Sequence, residues 1–189
     1  MKKITIFCGS NSGNDPVYGE SCEKVAQLLI SKNIELVYGG GRLGLMGKLA
    51  DSVLKLGGKV TGVIPERLVG KEIAHEGLSE LIVVGTMHER KAKMIELSDG
   101  FIALPGGIGT IEEIMEVYTW TQLGYQQKPC GLLNVNHFYD FLIRGLDEMV
   151  QSGFLRAEHR SLLIANEDAD ILIDQMKNTE IIYQDKWIR

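Results

Sequence analysis

Cysteine is scarce in this sequence: 189 residues carry only three, Cys8, Cys22 and Cys130, too few and too scattered for a disulfide framework or a zinc cage. The chain must be held by its apolar core, and a reducing, cytoplasmic setting is expected. Proline occurs only 4 times, which with 44% apolar and 24% charged residues excludes collagen-like and disordered chains. No apolar run approaches the roughly 18 residues of a membrane span. The first such run, Ile4 to Cys8, is too short for a signal-peptide core. Bases are outnumbered, 20 against 25 acids for a net charge of −5, which argues against a broad nucleic-acid surface but leaves room for a local phosphate pocket. His75, His88, His137 and His159 share no metal-ligand spacing, so they are read as surface or loop residues and no metal site is expected.

What is present is a chain long enough to bury roughly 70% of its unfolded surface, and it predicts a single domain over residues 1–189. Short β-rich runs end in glycine or polar residues: Ile4 to Cys8, Glu35 to Tyr38, Lys59 to Ile64, Leu81 to Val84, Gly100 to Leu104, Cys130 to Asn134 and Leu162 to Ala165. Between them run segments of helical period: Gly19 to Lys32, Leu43 to Leu56, Met87 to Leu97, Thr110 to Leu123, Phe138 to Ser152 and Ala169 to Met176. This alternation predicts the α/β class, a Rossmann-like open parallel sheet with helices on both faces. Glu66 to Ser79 is the one extended irregular stretch and a candidate loop over the site.

Ligands of such sheets bind beyond the carboxyl ends of the strands, and three of the turns there are glycine-rich. The first reads Gly9-Ser10-Asn11-Ser12-Gly13. The second, Gly39-Gly40-Gly41-Arg42-Leu43-Gly44, fits G-x-G-x-x-G, yet the acid that a dinucleotide site wants about 20 residues on comes late, at Glu66. A tight turn for close helix–sheet packing is the simpler reading. The third, Pro105-Gly106-Gly107-Ile108-Gly109-Thr110, leaves its backbone N–H groups unobstructed where Thr110 is expected to cap a helix, and this makes a phosphate cradle. No lysine follows as in a P-loop, so a monophosphate fits better than a triphosphate with magnesium.

Within that helix Ile111, Ile114, Met115 and Tyr118 form one apolar stripe, with Glu113, Val117 and Trp120 nearly opposite. Glu113 is thus a carboxylate among apolar neighbours about one turn from the cradle, placed to reach a ribose. In the preceding helix Arg90 lies among Met87, Met94 and Leu97 on the inward stripe. An inward guanidinium needs a partner, either Glu113 or a ligand phosphate, and a purely structural ion pair is equally compatible. The second apolar stripe, through Val117, Trp120 and Leu123, predicts a homodimer with this helix at the contact. The alternative is a C-terminal segment, Leu162 to Trp187, folded over that stripe.

The string Pro105 to Glu113, P-G-G-x-G-T-x-x-E, closely resembles the signature of the LONELY GUY family of cytokinin riboside 5′-monophosphate phosphoribohydrolases, long mislabelled as lysine decarboxylases. Arg90-Lys91, Cys8-Gly9-Ser10 and Tyr38-Gly39-Gly40-Gly41 match further family motifs, and the resemblance runs from Ile4 to about Ser152. It implies hydrolysis of the N-glycosidic bond of a purine nucleoside 5′-monophosphate such as AMP, without metal or redox cofactor. Arg90 and Glu113 are its implied catalytic pair. Gly107, Gly109 and Thr110 are implied to hold the phosphate and Met87 to touch the base. Gly9, Ser10, Gly40, Gly41, Lys91, Pro105 and Gly106 complete the implied substrate-binding set. The competing expectation is a non-catalytic nucleotide or cofactor carrier built on the same cradle, which would not need Glu113.

Overall fold

Side chains along the central strands alternate between two apolar faces, as a sheet covered on both sides requires. Ile4, Ile6, Leu36, Tyr38, Ile102 and Leu104 belong to one buried cluster, while Phe7, Val37, Phe101 and Ala103 belong to the other. The computed structural model describes residues 1–69 and 74–181. Its sheet has seven strands: β1 (Lys3–Phe7), β2 (Glu35–Tyr38), β3 (Val60–Pro65), β4 (Glu80–Val84), β5 (Gly100–Ala103), β6 (Cys130–Leu133) and β7 (Leu163–Asn166). Every pairing between them is parallel, in the order β4-β3-β2-β1-β5-β6-β7. The connections run outward in both directions from β1, so the crevice at its carboxyl end is the topological switch point.

Helices α1 (Pro16–Ser31), α2 (Gly44–Lys55) and α8 (Ala169–Asn178) cover one face; α4 (Met87–Leu97), α5 (Ile108–Gln122) and α6 (Asp140–Gln151) cover the other. Short helices α3 (Glu66–Val69) and α7 (Ala157–Arg160) complete the set, and no helix among the described residues is long and apolar enough to cross a membrane. Helix α1 begins earlier than its apolar period indicates, because Asp15 Oδ1 accepts from Val17 N at 3.0 Å and Pro16 opens the first turn. Part of the expected irregular stretch is α3, and Ala74 bridges to Gly41; residues 70–73 of that stretch lie outside the described residues.

The position of α4 sets that of Arg90, and the start of this helix is fixed locally. Thr86 Oγ1 accepts from Glu89 N at 3.1 Å, while Glu89 Oε2 accepts from Gly85 N at 2.9 Å, a reciprocal cap. Thr86→Ala should cost about 1 kcal/mol and lower the thermal midpoint by roughly 2–4 °C; an unchanged midpoint in calorimetry would show that packing alone holds the end of the helix.

Candidate active site

Three turns meet at the switch point because their backbones are stitched together. Gly9 N donates to Pro105 O at 3.1 Å, and Leu45 N donates to Gly9 O at 3.0 Å, so the first turn joins the third turn on one side and α2 on the other. Tyr139 Oη donates to Leu104 O at 2.6 Å and steadies the strand end that enters the third turn. Glycine is required where these backbones touch: a Cβ on Gly44, whose φ is +61°, would fall onto Ser10. A Cβ on Gly106 would meet Thr110 Oγ1. At Gly107 and Gly109 the situation is opposite, since a Cβ there would meet nothing within 4 Å. These two glycines face open space at the start of α5 rather than protein.

Helix α5 begins at Ile108 with Gly107 as its N-cap, so Thr110 is not the cap expected of it. It stands in the first turn, buried, with its hydroxyl against Gly106, and the N–H groups that a helix start leaves without intrahelical partners belong to the glycine-rich turn. The crevice opens as a cleft of about 320 Å³. Cys8, Gly9 and Ser10 form one wall, Met87 and Arg90 of α4 another, and Gly107 to Thr110 with Glu112 and Glu113 a third; Met46 and Leu68 close it with apolar surface. A second space of about 290 Å³, lined by Pro105, Gly106, Tyr18 and Phe138 among others, adjoins it across Gly9, Ser10 and Gly107.

Arg90 is only 6% exposed, and three directions of its guanidinium are engaged. Nε donates to Val63 O at 3.1 Å, Nη2 to Gly39 O at 3.2 Å, and Nη1 lies 3.6 Å from Glu113 Oε1. Strand-end carbonyls therefore hold the planar fork, which leaves Nη1 aimed at Glu113. Gly39 lacks a side chain for this reason: a Cβ there would collide with Arg90 Nη2. The Glu113 side chain, 13% exposed, sits at the border of the buried face of α5. Of the partners named for Arg90 from sequence, Glu113 is the one in contact with it, and the glycine turn lines the same cleft. Nearby, burial pushes the Cys8 thiol well above its ordinary pKa, with Cys22 and Glu113 adding to the effect, so Cys8 is a neutral wall residue and not a nucleophile.

Other expected site residues are placed differently. Lys91 does not line the cleft; its ammonium lies 2.6 Å from Glu112 Oε1 and 3.0 Å from Glu116 Oε1. Gly40 packs on Ile64 and Leu81 and accepts from His75 N at 3.0 Å, and Gly41 forms the bridge to Ala74, so these two glycines shape the wall behind the cleft. His159 is buried and not a surface residue, with Nδ1 3.3 Å from Gln122 Nε2 and its carbonyl accepting from Tyr118 Oη. Val117 belongs to the buried face of α5 with Ile114 and Tyr118, so it is no part of a second, outward stripe. Helix α8 lies on the α1 side of the sheet, not over α5; residues 182–189 of the proposed C-terminal cover lie outside the described residues. Sequence reasoning missed Met46 and Leu68 as cleft walls and the carbonyls of Gly39 and Val63 as anchors of Arg90, none of which carries a local signal.

Fold and site define an α/β protein of the doubly wound class with a buried Arg–Glu pair facing a glycine-rich helix start at the switch point. Against known proteins, the family model described as "possible lysine decarboxylase" matches residues 46–176. A protein of Oryza sativa subsp. japonica named "Probable cytokinin riboside 5′-monophosphate phosphoribohydrolase" is 47% identical over 94% of this chain and 78% of its own. A cytokinin riboside 5′-monophosphate phosphoribohydrolase of Arabidopsis thaliana is 42% identical over 99% of this chain and 84% of its own. The chain belongs to this family, the LONELY GUY phosphoribohydrolases. Among solved structures, the molybdenum cofactor binding protein of Rippkaea orientalis matches with a TM-score of 0.69 at 22% identity, over 94% of this chain and 99% of that one. The Moco carrier protein of Chlamydomonas reinhardtii matches with a TM-score of 0.69 at 18% identity, over 93% and 97%. At such identities the likeness is one of fold.

Proposed function

We propose that this protein hydrolyses the N-glycosidic bond of purine nucleoside 5′-monophosphates, AMP and its N6-substituted cytokinin forms, to free base and ribose 5-phosphate. The observation that carries the reading is the Arg90–Glu113 pair in one cleft with Gly107 and Gly109, whose backbones open onto empty space at a helix start. In this reading the 5′-phosphate sits on Gly107, Gly109 and Thr110 with Gly9 and Ser10 opposite, Pro105 and Gly106 shape the turn, and Met87 lies beside the base. Breaking the bond builds positive charge on the ribose, and the Glu113 carboxylate is the group at hand to stabilise it. Arg90 orients that carboxylate. Incubation with AMP and with N6-isopentenyl AMP, followed by chromatography, tests the assignment: free adenine and free N6-isopentenyladenine are expected, and intact nucleotide would refute it.

Amino-acid decarboxylation, the other activity attached to the family's description, calls for a Schiff-base lysine. The α4 lysines do not fit one, since Lys91 is paired with Glu112 and Glu116, and Lys93 with Glu96 at 3.1 Å. A carrier of a nucleotide or cofactor would use the same cradle without needing a carboxylate ion-paired beside it.

We further propose a homodimer, in the cytoplasm, with its contact on the α5–α6 side. Helix α6 carries Phe141, Leu142, Ile143, Leu146, Met149 and Val150 yet fully buries only Leu146, and Ile108 and Phe154 are 82% and 87% exposed. Light scattering at micromolar concentration should report twice the chain's 21.0 kDa; a particle of the single-chain mass would refute the dimer.

A further inference from the structure

We infer that Lys91 is a positioning residue for the Arg90–Glu113 pair, acting by tying α4 to α5, and not a substrate ligand; this rests on the hydrolase reading above. Adjacent residues of α4 address adjacent residues of α5. Arg90 turns into the cleft toward Glu113, and Lys91, one step round the helix, reaches Glu112 and Glu116 on the outer side. The outer contacts are short, 2.6 and 3.0 Å, whereas the inner one is long for a charge-assisted hydrogen bond at 3.6 Å. Arg90 is also tethered to the sheet through Gly39 and Val63, while Glu113 rides on α5. The inner distance therefore depends on how close α5 is drawn to α4.

Burial makes this tie more than a surface ion pair. The Lys91 side chain is 12% exposed and that of Glu116 24%, and Glu116 Oε2 is buried with no hydrogen-bond partner among the described residues. Burial by itself lowers the Lys91 pKa, but the hydrogen bonds to Glu112 and then Glu116 more than reverse this, so the ammonium stays charged. Removing that charge strands the Glu116 carboxylate with neither oxygen paired, and the carboxylate must pull away to water and take α5 with it. Glu112, 52% exposed, can turn to solvent without moving the helix.

The test uses the full chain and AMP. Lys91→Met should lower kcat by about 10- to 100-fold, the loss expected when reacting groups are misplaced by about 1 Å, with KM within about threefold of the parent. Adding Glu116→Leu should restore kcat at least about tenfold over the single variant, because a neutral apolar pair replaces the stranded carboxylate. A substrate ligand behaves otherwise: Lys91→Met would raise KM with kcat kept, and Glu116→Leu would rescue nothing, and either result overturns the inference. Should Lys91→Met alone not fold, the double variant decides: kcat within about threefold of the parent upholds the role, and a loss of tenfold or more overturns it. A parent that releases no adenine refutes the hydrolase reading, and this role with it; an active parent isolates the question to Lys91.

Discussion

Glu113→Gln should cut the release of adenine from AMP by about 100-fold or more in kcat while the thermal midpoint stays near that of the parent. Glutamine keeps the volume of the side chain and an oxygen to face Arg90 Nη1, so the packing at the edge of α5 is preserved. What it loses is the negative charge, which matters most when the ribose becomes positive and little in the ground state. KM should therefore change less than kcat. Arg90→Ala should also abolish turnover, but less cleanly. It strips the carbonyls of Val63 and Gly39 of a buried donor, and leaving such groups unpaired costs about 1–3 kcal/mol each. The isosteric change at Glu113 separates chemistry from folding, and a Glu113→Gln protein that hydrolyses AMP at the parental rate would return the pair to a structural role.

Adenosine should be a far poorer substrate than AMP, with kcat/KM lower by on the order of 1000-fold. Two or three charge-assisted hydrogen bonds from the Gly107–Thr110 turn, at roughly 1.5–3 kcal/mol each, suffice for that factor. The turn lies at the positive end of α5, and among the described residues a Cβ on Gly107 or Gly109 would meet nothing within 4 Å, which leaves room for a phosphate there. A nucleoside would leave those N–H groups to water and lose the anchor that sets the ribose against Glu113. Inorganic phosphate should compete with AMP in the same assay. Equal kcat/KM for nucleoside and nucleotide would mean that the glycines serve only the turn.

Local chemistry determined a good deal of this protein from its sequence alone. Strand and helix alternation carried the parallel sheet, because the central strands β1, β2, β3, β5 and β6 are apolar and buried on both faces, and β1, β2 and β5 run into glycine-rich turns. That the third glycine turn lines a cleft was legible for a related reason: glycines between a strand and a helix have few uses apart from close approach or ligand contact. An arginine on the apolar stripe of α4 announced a buried partner, since a guanidinium is not left unpaired indoors. Which partner, however, only the tertiary structure decided, because Glu113, Gly39 and Val63 reach Arg90 from three separate elements. The same holds for α5. A helical wheel gives the angles between Ile111, Ile114, Val117 and Trp120, but the angle that faces the sheet is set by how the helix docks. The buried line proved to be Thr110, Ile114, Val117, Tyr118 and Thr121. His159 was misread as a surface residue for one physical reason: a polar side chain has no intrinsic side of the molecule, and its burial depends on whether a distant acid, amide or carbonyl arrives to pair with it.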